Sequence, residues 1–108
     1  MARRVNRGEI WLYEFRPPDK RRPVLVLTRP EVIPLLSTVM VAPITTAIRG
    51  APSEVRVGVG EGLKAPSAIN LDHVQTVEQR LLGQYLGSVS AETMARVCAA
   101  LAIATACR

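Results

Sequence analysis

The sequence predicts a mainly β protein, a small barrel or sandwich that ends in one α-helix. Two observations support this fold class. Short apolar or alternating runs follow one another, separated by turns rich in proline and glycine. After Ser90 the apolar spacing changes from that of strands to that of a helix. The chain has 108 residues, so we expect a single domain spanning residues 1–108.

The first half of the chain predicts three strands. Glu9–Glu14 alternates apolar and polar residues, and the loop Arg16–Arg21 contains two prolines, which fix φ and lack a backbone donor. Pro23–Thr28 is a second strand, with its proline at the first position, where a strand tolerates it. Pro30–Leu36 predicts a short helix or turn, and Thr38–Ile44 a third strand.

The second half predicts further short strands. Ser53–Val59 is followed by a break at Gly58–Gly62, and Ser67–Asn70 and His73–Val77 are two more strands. Leu81–Leu86 fits either a strand or a loop. The strand at Ser53–Val59 should place its three valines on one face: Val55, Val57 and Val59.

A terminal helix is predicted from Ser90 onward. Ser90 is a favourable N-cap, and Glu92 lies in the first turn, where the helix dipole favours a carboxylate. One face of the helix carries the larger apolar side chains: Met94, Val97, Cys98 and Leu101. The remaining surface is rich in alanine, which fits either a dimer contact or simple helix propensity.

Composition narrows the possible functions. The formal net charge is +5 and the pI is about 10.0, which favours a polyanionic partner such as a nucleic acid or an acidic protein tail. The sequence contains no run of about 18 apolar residues, which is the length needed to span a membrane. The basic N-terminus is not followed by the apolar core of a secretion signal, so we expect a cytoplasmic protein.

Cysteine and histidine usage does not predict a metal site. Cys98 and Cys107 lie in one predicted helix, about 13 Å apart along its axis, which is too far for a disulfide. His73 is the single histidine, and the carboxylates are scattered along the chain. We therefore expect chemistry without a metal.

Four segments together resemble the MazF/PemK family of toxin endoribonucleases. The three most specific are Arg7–Trp11 (RGEIW), Arg21–Leu27 (RRPVLVL) and Ala42–Thr46 (APITT). A weaker fourth segment is Ser67–Val77, followed by Arg80–Gly83 (RLLG). The resemblance implies an SH3-like barrel of the CcdB/PemK-like type with a C-terminal helix, and a homodimer. It also implies a toxin of a type II toxin-antitoxin system that cuts single-stranded RNA at specific sequences and needs no cofactor.

The same resemblance implies the site residues. Arg22 and Thr45 match the catalytic arginine and threonine of the family, which would stabilise charge while the 2′-hydroxyl of the RNA attacks the adjacent phosphodiester. Products would carry 2′,3′-cyclic phosphate and 5′-hydroxyl ends. The general base stays unassigned, with His73 as a candidate for auxiliary acid or base. The predicted RNA-binding residues are Thr46, Arg49, Ser67, Asp72, His73 and Asp19.

The chain departs from the family pattern in places that affect the target. The loop before Arg22 is short and offers Asp19 in place of a glutamate, and many relatives have glutamine at His73 and arginine at Gln75. A structured RNA such as tRNA or rRNA is therefore a possible target beside mRNA. The family's antitoxin has an acidic, disordered tail that occupies the RNA groove, which the basic charge of this chain matches.

Two other functions fit the same barrel. A non-enzymatic toxin resembling CcdB would bind gyrase through its terminal helix and would not need Arg22 or Thr45. A passive RNA-binding barrel would bind RNA in a salt-sensitive manner and leave it intact. Each residue also has an ordinary interpretation: a solvated charge for Arg22, turn chemistry for Thr45 and a packed ring for His73.

Overall fold

An antiparallel sheet of seven strands dominates the computed structural model, which describes residues 4–16 and 20–107. A 15-residue helix, α1 (Ala91–Thr105), follows the last strand. The strands are β1 (Glu9–Glu14), β2 (Arg21–Val26), β3 (Thr38–Thr45), β4 (Glu54–Val57), β5 (Ser67–Asn70), β6 (Gln75–Glu78) and β7 (Leu82–Ser88). Short 3₁₀ turns connect several of them, at Ile33–Leu35, Val59–Glu61, Leu71–His73 and Gln79–Leu81.

The central strand β3 organises the sheet. The strand order is β4-β5-β3-β2-β1-β7, and β6 also pairs with β3. β3 pairs with β6 over Thr38–Val41 and with β5 over Ile44–Thr45, so one edge of β3 serves two partners in succession. The sheet therefore curls into an open barrel, which confirms the predicted barrel with a C-terminal helix.

Two prolines mark the places where pairing changes. Pro23 pairs with β1 but precedes the ladder to β3, which begins at Val24 opposite Pro43. Pro43 lies between the part of β3 that pairs with β6 and the part that pairs with β5. The prediction that Pro23 opens the second strand was wrong by two residues, because Arg21 and Arg22 already pair with β1.

Apolar side chains pack on both faces of the sheet. One cluster lies against α1, the other on the opposite face, as expected for strands buried on alternate sides. The first contains Ile10, Leu25, Leu27, Ala42, Ile44, Val55, Val57, Leu63, Ile69, Leu71, Val97 and Ala100. The second contains Val5, Trp11, Val24, Val26, Ile33, Val39, Val41, Val77 and Leu82.

The terminal helix begins as predicted. The Ser90 hydroxyl oxygen accepts a hydrogen bond from the Thr93 N–H at 3.1 Å, so Ser90 is the N-cap. Val97 and Ala100 are buried in the core, whereas Cys98, predicted on the same apolar face, is exposed. Within the described ranges, no helix is long and apolar enough to cross a membrane.

Several predicted strand boundaries were wrong. Val59 does not continue β4: it begins a 3₁₀ turn and is 72% exposed, because Gly58 ends the extended backbone. His73 ends the 3₁₀ turn Leu71–His73, and β6 begins only at Gln75. In the ambiguous segment Leu81–Leu86, Leu81 ends a 3₁₀ turn, and Leu82 begins a strand that reaches Ser88 and pairs with β1.

Candidate active site

A cleft of about 420 Å³ opens where β2 and β3 leave the core, and it contains both predicted catalytic residues. Side chains from the end of β1, from β2 and β3, and from the β4–β6 region line it. They are Phe15, Arg22, Pro43, Thr45, Ala47, Arg49, Glu54, Asn70, His73 and Gln75.

Arg22 and Thr45 line the same cleft from adjacent strands. β2 and β3 pair as far as Val24 opposite Pro43, and Arg22 and Thr45 each lie two residues beyond that pair. Residues opposite each other in an antiparallel pair project from the same face. Arg21 alternates to the other face and does not line the cleft. One guanidinium and one hydroxyl thus line the same cleft.

A local hydrogen bond sets the direction of the Thr45 hydroxyl. Its oxygen accepts from the N–H of Ala47 at 3.0 Å, closing a short turn at the end of β3. Because the oxygen accepts this bond, the hydroxyl proton is available for another acceptor. Thr45 is therefore a donor held in a fixed position at the cleft.

Asn70 sets the tautomer of His73. The Asn70 carbonyl oxygen accepts from the N–H of Asp72 at 2.9 Å, which turns its amide nitrogen toward His73 Nδ1, 3.2 Å away. An amide NH₂ group only donates, so Nδ1 accepts and the neutral ring carries its proton on Nε2. The edge of the ring that remains for a ligand is thus an N–H donor.

The β3–β4 loop is anchored by Glu54. Its Oε1 accepts from the backbone N–H groups of Arg49 at 3.2 Å and Gly50 at 2.9 Å. These bonds fix the backbone of Arg49 at the rim of the cleft. Within residues 4–16 and 20–107, neither Arg22 nor Arg49 has an ion-pair partner, which leaves both charges available to an anion.

The structure does not bring all predicted RNA-binding residues to this cleft. Arg49 and His73 line it, whereas Thr46 is exposed beside it. Ser67 is buried and donates to the Ala65 carbonyl at 2.9 Å. Asp19 lies outside the described residues.

Asp72 is directed away from the cleft. Its carboxylate accepts a hydrogen bond from the Ser53 hydroxyl. It contributes to a second, mostly apolar groove of about 740 Å³ between α1 and the sheet, which contains neither Arg22 nor Thr45.

Six lining residues were not among the predicted site residues: Phe15, Pro43, Ala47, Glu54, Asn70 and Gln75. Asn70 and Gln75 lie on either side of His73 in the segment Ser67–Val77. The sequence resemblance therefore covered the segment that contains them, but it did not name them as site residues. Glu54 lies outside the four segments that resemble the family, so no sequence motif indicated it. It reaches the cleft only because β4 pairs with β5, with Glu54 opposite Asn70.

Metal-ligand clusters do not occur near these residues. In the part of the chain that the structure describes, no group of three or more His, Cys, Asp or Glu side chains could hold an ion. The cleft itself presents one carboxylate, one imidazole and two guanidinium groups. Its predominant chemistry is therefore that of hydrogen-bond donors arranged around an anion.

Comparison with known proteins identifies relatives over nearly the whole chain. Residues 6–105 match the family described as PemK-like, MazF-like toxin of type II toxin-antitoxin system. A protein named probable endoribonuclease MazF5, from Mycobacterium tuberculosis, is 42% identical over 102 residues, which cover 94% of this chain and 93% of that protein.

Solved structures share the fold. The Mycobacterium tuberculosis toxin MazF-mt6 superposes with a TM-score of 0.84 at 39% identity, covering 91% of this chain and 96% of that one. A mycobacterial endoribonuclease in complex with its cognate antitoxin superposes with a TM-score of 0.86 at 26% identity, covering 97% and 98% of the two chains. With its barrel, its helix and an arginine and a threonine in one cleft, this chain belongs to the PemK-like, MazF-like family of type II toxins.

Proposed function

We propose that this toxin is an endoribonuclease that cuts single-stranded RNA at specific sequences, without a metal, in the cleft between Arg22 and Thr45. The observation that carries the proposal is that these two donors, each two residues beyond the last β2–β3 pair, line the same cleft. Relatives that match most of the chain are named endoribonucleases. Cutting mRNA, tRNA or rRNA in the cytoplasm would inhibit translation and growth.

The reaction needs no protein nucleophile. The 2′-oxygen of the RNA attacks the adjacent phosphorus, a new P–O2′ bond forms, and the bond from phosphorus to the 5′-oxygen of the next nucleotide breaks. The 2′-hydroxyl loses its proton and the leaving 5′-oxygen gains one. The products carry a 2′,3′-cyclic phosphate and a 5′-hydroxyl.

Arg22 and Thr45 stabilise the transition state. Negative charge grows on the non-bridging oxygens, where the Arg22 guanidinium donates two charge-assisted hydrogen bonds and the Thr45 hydroxyl donates one. Such donors, fixed before the reaction, are typically worth about 2.7 to 4 kcal/mol each. The short turn at Ala47 supplies this fixed position for Thr45.

Arg49 and His73 bind the RNA. Arg49 is held at the rim by Glu54 and attracts a flanking phosphate, and the Nε2–H of His73 donates to an RNA oxygen. RNA binding by Thr46, Ser67, Asp72 and Asp19 stays a prediction from the sequence.

A homodimer and an antitoxin complete the assembly we propose. A barrel of 108 residues buries a modest fraction of its surface, so a second copy adds stability. The net charge of +5 attracts an antitoxin tail that is acidic and disordered until bound. A mycobacterial relative has been solved with its cognate antitoxin, which supports this partner. The CcdB-like gyrase poison is not favoured, because the relatives are named endoribonucleases.

The test is cleavage of a long mixed-sequence RNA in excess EDTA by the purified protein and by Arg22→Ala. We expect discrete cuts with 2′,3′-cyclic phosphate and 5′-hydroxyl ends, and a loss of about 10²- to 10³-fold in rate for the variant. Arg96→Ala is a matched control, because it removes the same charge from α1, outside the cleft. Intact RNA with the wild-type protein, or equal cutting by Arg22→Ala, would contradict the proposal.

A further inference from the structure

Glu54 is a carboxylate in a cleft that we propose binds a polyanion. Its Oε1 accepts two backbone N–H groups, from Arg49 and Gly50, and so uses both of its lone pairs. Oε2 has no hydrogen-bond partner among the described residues, although Glu54 lines the cleft. One carboxylate oxygen is therefore structural, and the other remains available to a ligand.

No cationic side chain of the described residues pairs with this carboxylate. Across residues 4–16 and 20–107, no side-chain nitrogen of a lysine, arginine or histidine lies within 4.0 Å of its oxygens. A carboxylate that faces an RNA phosphate repels it, whereas one that faces a base edge accepts a hydrogen bond from an N–H group. The charge of Glu54 thus fits a base and not the RNA backbone.

The surroundings of Glu54 also suit an unstacked base. Glu54 lies opposite Asn70 on β5, whose side chain contributes an amide to the same cleft. Phe15 lines the cleft as well and offers an aromatic ring. Proteins read single-stranded RNA by stacking splayed bases on aromatic rings and by hydrogen bonding to their edges.

We propose that Glu54 determines sequence preference, with Oε2 accepting a hydrogen bond from the exocyclic amino group of an adenine, cytosine or guanine in the target. Uracil has no such amino group, and its one edge donor, N3–H, lies between two carbonyl oxygens that a carboxylate repels. This inference rests on the proposed ribonuclease function. It assigns Glu54 to discrimination among bases, separate from the charge stabilisation by Arg22 and Thr45.

The variant Glu54→Gln isolates this role. The backbone N–H groups of Arg49 and Gly50 require an acceptor, so the glutamine carbonyl takes the place of Oε1 and its NH₂ takes the place of Oε2. The loop anchor is kept while the free acceptor becomes a donor. We expect preference at one position of the target to change from amino-bearing bases toward uracil.

The experiment maps cut sites in a random-sequence RNA for wild type, Glu54→Gln and Glu61→Gln. For wild type we expect one position at which uracil is disfavoured about 10-fold, and for Glu54→Gln a loss or reversal of that bias. Glu61→Gln is a matched control: its Oε1 accepts the Gly58 N–H at 2.7 Å in another loop, outside the cleft. Its preferences should equal those of wild type.

A second measurement uses the wild-type protein alone. Substrates are prepared in which the amino group at each position of the target is replaced by hydrogen, one position at a time. We expect the cleavage rate to fall about 10-fold at one position. If no such replacement has an effect, the proposal is overturned even when Glu54→Gln fails to fold.

The remaining outcomes separate this inference from the function on which it rests. A folded Glu54→Gln protein with unchanged preferences would overturn base reading while leaving the ribonuclease function intact. A folded variant that cuts nothing would also overturn it, since the carboxylate would then serve cleavage itself. Failure of wild type to cut any RNA would overturn the proposed function and this inference together.

Discussion

At the scale of single residues, the site is built from donors whose positions are fixed by local hydrogen bonds. Ala47 holds Thr45, and Asn70 holds His73. Fixed donors cost no reorganisation when charge develops, which makes them more effective than mobile ones. Both contacts lead to predictions that substitutions can test.

The hydroxyl of Thr45 should matter more than its size. Thr45→Val keeps the shape but removes both the acceptor for Ala47 and the donor, so we expect kcat/KM to fall about 10²- to 10³-fold. Thr45→Ser keeps both functions and should retain most activity. Initial rates on a short RNA containing the mapped site provide the comparison. Equal activity of the valine and serine variants would rule out the donor role.

The tautomer of His73 can be observed directly, because it is the single histidine of the chain. We expect the neutral ring to carry its proton on Nε2 in the wild-type protein. Asn70→Asp replaces the donor by an acceptor and should move the proton to Nδ1. Two-bond correlations between ring protons and ¹⁵N-labelled imidazole nitrogens distinguish the two forms. A wild-type ring protonated on Nδ1 would contradict the assignment.

At the scale of elements, short strands meet at positions that only particular residues can occupy. Gly62, in the left-handed region at φ +93°, lies against β7, and Gly87 of β7 lies against the backbone at Glu61. A Cβ on Gly62 would come within 2.1 Å of the Leu86 carbonyl oxygen. The turn after β4 and the last strand therefore approach each other as bare backbone.

Gly87→Ala should destabilise the fold. Its Cβ would lie 2.3 Å from the carbonyl oxygen of Glu61, so the backbone must move, and we expect a loss of about 2 to 3 kcal/mol in the free energy of unfolding. Gly60→Ala is the control, because its Cβ would meet no atom within 4 Å. Urea unfolding of both variants supplies the measurement. Comparable stability of the two would contradict the close approach.

At the scale of the whole molecule, the net charge of +5 favours association with RNA, and the cleft concentrates part of that charge. Arg22 and Arg49 both line it without an ion-pair partner among the described residues. The one ion pair found in residues 4–16 and 20–107, Arg80 with Glu78 at 2.9 Å, involves exposed side chains outside the cleft.

Salt dependence should identify the arginines that contact phosphate. For single strands the slope of log K against log salt changes by about 0.7 for each phosphate contact. We expect Arg49→Ala to reduce the slope by about this amount on a 2′-O-methyl RNA, which lacks the attacking hydroxyl. Arg96→Ala, on α1, should leave the slope unchanged. Fluorescence anisotropy at several salt concentrations gives the slopes, and equal changes in both variants would indicate a general charge effect.

The sequence by itself determined the β-rich fold, the N-cap of the terminal helix at Ser90 and the family. These follow from local patterns: alternation, capping chemistry and short contiguous motifs. The same motifs indicated Arg22 and Thr45. Strand ends were less well determined, as Val59 and His73 show, because apolar alternation does not mark the residue at which a strand gives way to a 3₁₀ turn.

Only the tertiary structure decided which side chains share the cleft. The pairing of β3 with β2 and β5 brings Arg22, Thr45 and Asn70 together from positions far apart in the sequence. The pairing of β4 with β5 adds Glu54, while Asp72 is directed to the other side of the fold. Strand register sets the face on which each side chain lies, and register depends on long-range pairing that no local pattern specifies.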